Sequence, residues 1–442
     1  MNINQPEELS ASATTVLDDR IRGVPPGTQA LPIAAVEAQR WHPADGAMAL
    51  PLLTLDEAAF ANNRDLMLRY VREQEIQIAP HAKTPMSPDL ARSIVDAGAW
   101  GTTVADIRQA AVMLRAGLSR LILANEVGGL GAARRLGALL RAFPAAELYV
   151  FVDSVAAAEA YAAAWRADSG LPPLRVLIEI GAGRAGARSL GDAGGVLDVI
   201  VGRGTGRLIP AGVATYEGSV ARPTPEETQS AIDGLLALAG EVLALVRKAA
   251  GPDRRLVVTA GGSMWFDRVV MALKPAIAAD GNSLLVLRSG AIFFHDHGTY
   301  RRSLKTLDVR GGFRLGGKAV AAAELFLPAL RLWAEVLSRP EPALAILGMG
   351  MRDVSFDQGF PLPLRLFRDG APAKGTTTAD MTIEKLNDQH AFLAVHPDDD
   401  IRVGDVIELG ISHPCTCLDR YRVIFGIDEA GRVRHAFPTY FG

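Results

Sequence analysis

The chain is poor in cysteine, with two in 442 residues, and both, Cys415 and Cys417, lie two positions apart near the C-terminus. A disulfide framework is therefore excluded, and any thiol chemistry is confined to one short segment. Charge of one sign is lacking too: the net charge is −3 with 21% charged residues, which offers no basic face to nucleic acid or to an anionic membrane surface. The opening MNINQPEELSASATT has no basic stretch followed by an apolar core, so no secretory leader is expected. Apolar stretches such as 235–246 and 319–337 are broken by Glu241, Glu324, Arg331 and Glu335 and fall short of a membrane span. The expectation is a soluble protein of a reducing compartment, the cytoplasm.

What is present is an ordinary globular composition, 49% hydrophobic, in a chain long enough for two or three domains or for one large barrel with an attachment. From about residue 52, short Val-, Ile- and Leu-rich runs alternate with longer Ala-rich amphipathic stretches, the pattern of βα units around a parallel sheet. The spacing of Thr54 and Glu57 predicts a capping box opening a helix to about Arg72, and Ser87 with Pro88 predicts a second helix that stops at Gly98. Eight strands are expected, at 76–80, 100–105, 121–125, 148–153, 174–180, 207–215, 256–261 and 284–289. That count fits an α/β fold of the (β/α)8 TIM type over residues 50–300 better than an open doubly wound sheet. Beyond Tyr300 the texture changes to a mostly antiparallel β domain over 301–442, with strands at 306–314, 391–395, 405–411, 421–427 and 432–437 and a helical stretch at 319–337. Residues 1–49 are weakly periodic and either complete the β domain or stay loose.

In such a barrel the active site lies at the C-terminal strand ends. The first strand leads into Pro80-His-Ala-Lys83-Thr-Pro-Met-Ser87, where a partly desolvated lysine would have a lowered pKa and suit a Schiff base. The position equally suits a lysine snorkelling at a loop entry. Strands seven and eight end in Gly261-Gly262-Ser263 and Ser289-Gly290, glycine turns able to cradle a phosphate or simply to turn tightly. Lysine and cradle together suggest pyridoxal phosphate. Arg184, after strand five, could face its ring nitrogen and keep it unprotonated, or could pair with Glu179.

The segment Ser412-His-Pro-Cys-Thr-Cys417, if extended, would project His413, Cys415 and Cys417 to one face, nitrogen and sulfur donors that favour zinc over magnesium or manganese. Two protein ligands would leave a catalytic zinc with open positions, while the alternative is a buried histidine with two inert core thiols. His295 and His297 after strand eight could ligate a metal, orient the site or stabilise a turn; His390 gives no reading, and His396 suits a surface loop.

Taken in order, PHAKT around Lys83, AGAWGTTVA at 97–105, LILANE at 121–126, RAG at 184–186, TYEG at 215–218, TAGGS at 259–263, LRSG at 287–290, HDHG at 295–298, LNDQHAFL at 386–393 and SHPCT at 412–416 resemble the D-serine dehydratase and D-threonine aldolase family. These are fold-type III pyridoxal phosphate enzymes related to alanine racemase. The resemblance implies a barrel with a C-terminal β domain, Lys83 as the Schiff-base lysine and Arg184 facing the ring nitrogen. It further implies Tyr216, Gly261, Gly262, Ser289 and Gly290 in the cofactor pocket, His413 and Cys415 as the metal pair, and a homodimer whose barrel mouths are completed by the partner's C-terminal domain. The implied activity is a zinc-dependent dehydratase of D-β-hydroxy amino acids such as D-serine. The alternatives are an aldolase-type lyase, with manganese or magnesium, and a carrier of the cofactor without turnover. Two departures stand out: His81-Ala-Lys83-Thr-Pro-Met86 replaces the common H-x-K-T-H-K and is closer to a bacterial amino acid deaminase group, and Cys417 stands where threonine is usual.

Overall fold

Thr54 does not cap a helix. In the computed structural model, which describes residues 15–204 and 206–441, the run LLTLD forms strand β1 (Leu52–Asp56), and Asp56 caps helix α1 (Glu57–Glu73) by accepting the Ala59 N–H at 3.0 Å. Four consecutive buried residues suit a strand covered on both faces, and Asp56 occupies the cap position that the Thr54–Glu57 spacing had suggested two residues earlier. The Thr54 hydroxyl instead accepts the Trp333 indole N–H at 2.9 Å. The leader expectation rests chiefly on residues 1–14, which lie outside the described residues.

After α1 the chain builds a ring of eight parallel strands: β2 (Gln77–Ile78), β3 (Thr102–Val104), β4 (Arg120–Leu123), β5 (Glu147–Val152), β6 (Leu174–Ile180), β7 (Leu208–Thr215), β8 (Leu256–Ala260) and β9 (Ser283–Leu287). They pair in sequence order and β9 returns to β2. The β2–β3 seam is closed beyond the short ladders by Trp100 N–H to Ile78 O, Thr103 N–H to Pro80 O and Ala82 N–H to Thr103 O. Alternation along each strand explains the unbroken apolar runs. Ile122, Phe151, Leu177, Val257 and Val286 fill the barrel interior, while Leu121, Val150, Ile178, Val258 and Leu285 face the helices. Each expected strand is found to within two residues at either end.

The outer ring contains α2 (Pro88–Asp96), α3 (Ile107–Arg115), α4 (Gly129–Ala142), α5 (Val155–Ala167), α6 (Leu190–Arg203), α7 (Pro225–Ala250) and α8 (Phe266–Asp280). Ser87 stands at the cap position of α2, but its buried hydroxyl makes no capping bond. Helix α7 is long and apolar enough to cross a membrane by composition, yet Ile232, Leu236, Ala239, Val242, Leu243 and Val246 are buried against the barrel. A capping box of Thr224 and Glu227 starts it.

Two expectations beyond the barrel are overturned. Residues 306–314 are not a strand: α9 (Thr299–Val309) occupies the region, with Ser303, Leu304 and Leu307 buried at helical spacing, and only Arg314–Leu315 is extended. Nor is 319–337 a helix. It holds one helical turn, Ala322–Leu325, and then β10 (Leu330–Glu341), a strand that starts soon after Pro328 and is held by pairing with β1. Tertiary pairing wins over the helical propensity of its alanines and leucines.

The β domain continues with β11 (Leu344–Leu347), β12 (Leu362–Arg368), β13 (Thr382–Leu386), β14 (Ala391–Ala394), β15 (Val406–Gly410), β16 (Val423–Ile427) and β17 (Val433–Pro438). The spatial order is β12-β15-β10-β11-β14-β13, with β1 joining β10 to the β16–β17 hairpin. Every pairing here is antiparallel except β1 with β16. Leu17, Val24, Ile33, Val36 and Trp41 pack with Trp333 and Phe425, so residues 15–49 lie against this sheet. Removing the Thr54–Trp333 bond alone, in Trp333→Phe, is expected to cost about 1 kcal/mol, whereas Trp333→Ala is expected to cost about 3–5 kcal/mol, read from denaturant unfolding.

Candidate active site

The C-terminal ends of the barrel strands meet the segment that follows β15, and the nine expected residues, Lys83, Arg184, Tyr216, Gly261, Gly262, Ser289, Gly290, His413 and Cys415, line one cavity of about 380 Å³. Lys83 leaves β2 on a pinned loop. The His81 N–H is bonded to Arg288 O and the Ala82 N–H to Thr103 O, while Met86, at φ +42°, accepts the Tyr440 N–H. The lysine is open to the cavity but surrounded by protein on most sides, and this burial lowers its pKa. The Cys415 sulfur opposes that shift, and the guanidiniums of Arg184 and Arg288 reinforce it.

Arg184 satisfies parts of both expectations. Its guanidinium lies 5.6 Å from the centre of the Tyr216 ring and only 4.0 Å from Glu179, at the limit of an ion pair. Burial, with a hydrogen bond that protonated Glu179 donates to Glu126, pushes Glu179 up to about 9, so near neutral pH it is protonated and leaves the Arg184 charge uncompensated. A second cation, Arg288, was not foreseen. It is buried, held by the Thr259 hydroxyl at 2.9 Å and Thr215 O at 2.7 Å, and its signal is a charged residue ending the apolar run SLLVLR.

The glycine turns differ from expectation in one respect. The Gly261 and Gly262 N–H groups donate to the buried Glu217 carboxylate at 3.0 and 2.7 Å, so they are not free to bind an anion. Their role is one of shape: a Cβ on Gly262 would lie 2.9 Å from the Tyr216 ring, and Gly261 sits at φ +92°. Gly290 also has no room for a side chain, since a Cβ there would lie 2.7 Å from His81 O. Ser289 donates its hydroxyl to Gly262 O at 2.9 Å and ties the two turns together. Ser263, Gly290 and Ala291 remain as cavity residues beside this seat, as does Tyr300 at the start of α9, whose hydroxyl meets Ser263 and is held far above the usual phenol range by burial.

The segment after β15 is not extended. Pro414 leads into a helical turn, Cys415–Leu418, so His413 and Cys415 face the cavity while Cys417 turns into the core. Burial raises the Cys417 thiol, and its place in the core, away from the cavity lining, separates it from the other two donors. The Cys415 sulfur lies 3.4 Å from the Thr84 hydroxyl. A hydrogen bond to Cys415 pushes His413 up to about 9, against burial and with support from Asp357. His295 and His297 stay behind the cavity wall in the turn between β9 and α9. Burial holds them near about 4 and about 3, so both are neutral. His390 and His396 are exposed on loops.

Between His295 and His297, Asp296 accepts the N–H groups of Gly298 and Tyr300, and burial raises its pKa from 3.8 to about 7. The folded state therefore holds this proton more tightly than the unfolded state. The stability it contributes is complete below about pH 4 and is lost as the pH rises through 7. Asp296→Asn keeps the acceptor and removes that loss, so the variant's advantage in melting temperature is expected to grow from pH 4 to pH 8, reaching the equivalent of about 2–4 kcal/mol. A pH-independent difference would contradict this assignment.

These features fit a ligand with an aldehyde and a phosphate. The amine is poised by desolvation, two guanidiniums supply positive charge, and the seat is built where no Cβ is tolerated. The His81 Nδ1 beside the lysine is buried without a hydrogen-bond partner, and burial keeps that imidazole neutral. On the opposite side, adjacent nitrogen and sulfur donors fit a soft divalent metal. No group of three or more metal-binding side chains is found among the described residues, so a metal held here would keep open positions.

Two family models match the chain: the alanine racemase N-terminal domain over residues 55–265 and the putative serine dehydratase domain over residues 329–427. A D-threonine aldolase of Arthrobacter sp is 26% identical over 398 residues, covering 89% of this chain and 90% of that protein. The crystal structure of D-threonine aldolase from Filomicrobium marinum superposes with a TM-score of 0.69 at 24% identity, over 89% of this chain and 95% of that one. D-threo-3-hydroxyaspartate dehydratase from Delftia sp. HT23 superposes with a TM-score of 0.65 at 22% identity, over 89% and 97% of the two chains. Two further structures of a D-threo-3-hydroxyaspartate dehydratase, a histidine-to-alanine variant and, two positions on, a cysteine-to-alanine variant in the metal-free form, superpose with TM-scores of 0.68 and 0.65.

Proposed function

We infer the activity from one premise: the chain belongs to the fold-type III pyridoxal phosphate enzymes, the alanine racemase-like family that includes D-serine dehydratase and D-threonine aldolase. Within it, this protein is a lyase of D-amino acids. More finely, it is a zinc-dependent dehydratase that converts D-β-hydroxy amino acids such as D-serine to a 2-oxo acid and ammonia. The observation that carries this reading is the His413–Cys415 pair facing Lys83 across one cavity. The histidine and cysteine altered in the D-threo-3-hydroxyaspartate dehydratase variants are likewise two residues apart, which favours dehydration.

Lys83, Arg184, Tyr216, Ser289 and Gly290 would hold the cofactor, with Gly261 and Gly262 shaping its seat. Pyridoxal phosphate supplies an electron sink for charge developing at the substrate's α carbon. The Lys83 Nζ, whose lowered pKa favours the neutral amine, takes the α proton. Arg184 places a fixed positive charge beside the ring and disfavours protonation of the ring nitrogen. His413 and Cys415 would hold the zinc, which would supply Lewis-acid chemistry toward the substrate's hydroxyl. In the net reaction one water leaves the β carbon and one is taken up as ammonia is released.

The curated D-threonine aldolase relative favours a second reading, cleavage of the Cα–Cβ bond to glycine and an aldehyde, supported by manganese or magnesium. A panel of D- and L-β-hydroxy amino acids, assayed for 2-oxo acid and for glycine with and without chelator, separates the two. A carrier without turnover would have no use for a donor pair aimed at its lysine. The exposed Phe356, Phe360 and Leu362, in and just after the loop whose Asp357 contacts His413, support a homodimer meeting at the barrel mouth, tested by light scattering of the purified chain. The two unpaired cysteines suit the cytoplasm.

A further inference from the structure

Asp357 does not line the cavity and has no part in the chemistry above, yet it is bonded to the histidine that does. Its Oδ2 lies 2.7 Å from His413 Nδ1, and its Oδ1 accepts the Thr416 hydroxyl proton at 2.8 Å. Thr416 Oγ1 is itself 3.0 Å from His413 Nδ1. Proton accounting then leaves one arrangement. An ionised carboxylate only accepts, and the single Thr416 proton is committed to Oδ1, so the short Nδ1–Oδ2 contact requires the proton to be on Nδ1. With Nδ1 committed to Asp357, the proton that a metal displaces from the ring is the one on Nε2, so it is Nε2, on the edge turned away from Asp357, that offers the lone pair.

The carboxylate is held firmly enough to do this. Ser355, two residues before it, donates its hydroxyl to His413 O at 3.0 Å, so the same loop grips both the main chain and the ring of the histidine. The start of the loop is anchored by Arg22 on Asp353 at 2.6 Å and by the Tyr421 hydroxyl on Asp353 O at 2.7 Å.

We propose that Asp357 is a positioning residue that fixes the tautomer and orientation of His413, so that Nε2 is presented to a divalent metal shared with Cys415. This rests on reading His413 and Cys415 as a metal pair. Partners of this kind tune metal affinity through the ligand they orient. The Asp357 side chain is 42% exposed, and exposed pairs contribute little to folding, so metal affinity and stability are separable readouts.

The test titrates the full chain, stripped of metal and loaded with pyridoxal phosphate, with zinc alone in competition with a chromophoric chelator. Wild type is expected to bind zinc, and His413→Ala to lose it. Asp357→Ala is expected to weaken zinc binding roughly 10–100-fold. Asp357→Asn, nearly isosteric but without the charge-assisted bond, is expected to weaken it by about 3–10-fold, with cofactor absorbance and melting temperature unchanged. Unchanged zinc affinity in Asp357→Asn overturns the proposal, whatever Asp357→Ala does. A wild-type chain that binds no zinc, or a His413→Ala variant that binds it as well as wild type, instead overturns the metal-pair reading beneath it.

Discussion

Lys83→Ala is expected to abolish both turnover and the visible absorbance of lysine-bound cofactor while leaving the fold intact. Two roles meet at this amine. It is the nucleophile that joins the cofactor, and it is the base for the α proton, a task that alone supplies roughly 10²–10⁴ in rate. Losing both is expected to lower kcat by at least about 10⁴-fold. The side chain opens into the cavity, and two guanidiniums oppose its charge, so little folding energy depends on it. Unfolding curves of variant and wild type are therefore expected to superpose. An unchanged absorption band would remove Lys83 from the site.

His413→Ala and Cys415→Ser are expected to show the complementary pattern: cofactor absorbance retained, metal lost, and turnover reduced by about 10³-fold, equivalent to about 4 kcal/mol of transition-state stabilisation. The two donors sit on the β-domain side of the cavity and Lys83 on the barrel side, so metal and cofactor should be separable by mutation. Chelation of wild type should reproduce the loss, and zinc should restore wild type but not the variants. Cys417→Ser should leave zinc affinity unchanged, because that thiol lies in the core. If Cys415→Ser kept full activity and full metal content, the pair would have no chemical role.

The barrel was legible because its strands are buried on both faces, so eight continuous apolar runs stand out between amphipathic helices. The β domain was less so. Its β12 carries Pro363, Arg365 and an exposed edge, a pattern shared with loops, and β10 hides among alanines and leucines until β1 and β15 pair with it. Motif spacing picked out residues that the structure brings to one cavity wherever each follows a strand. It misjudged Cys417, because a single helical turn after Pro414 moves that residue off the face of its neighbours. It also missed Arg288, Tyr300, Glu217 and Asp357, whose partners lie far away in sequence: Asp357 meets His413 across 56 positions, and Glu217 meets Gly261 across 44. Long-range hydrogen bonds of this kind leave no periodic signal.

The most direct measurement of the central claim is the product balance on D-serine with the cofactor-loaded, zinc-replete protein. Dehydration by the Lys83 and His413–Cys415 site predicts ammonia and 2-oxo acid in equal amounts, no glycine, loss of both products on chelation and no reaction with L-serine. Glycine and an aldehyde as the products, or turnover indifferent to chelation, would contradict it.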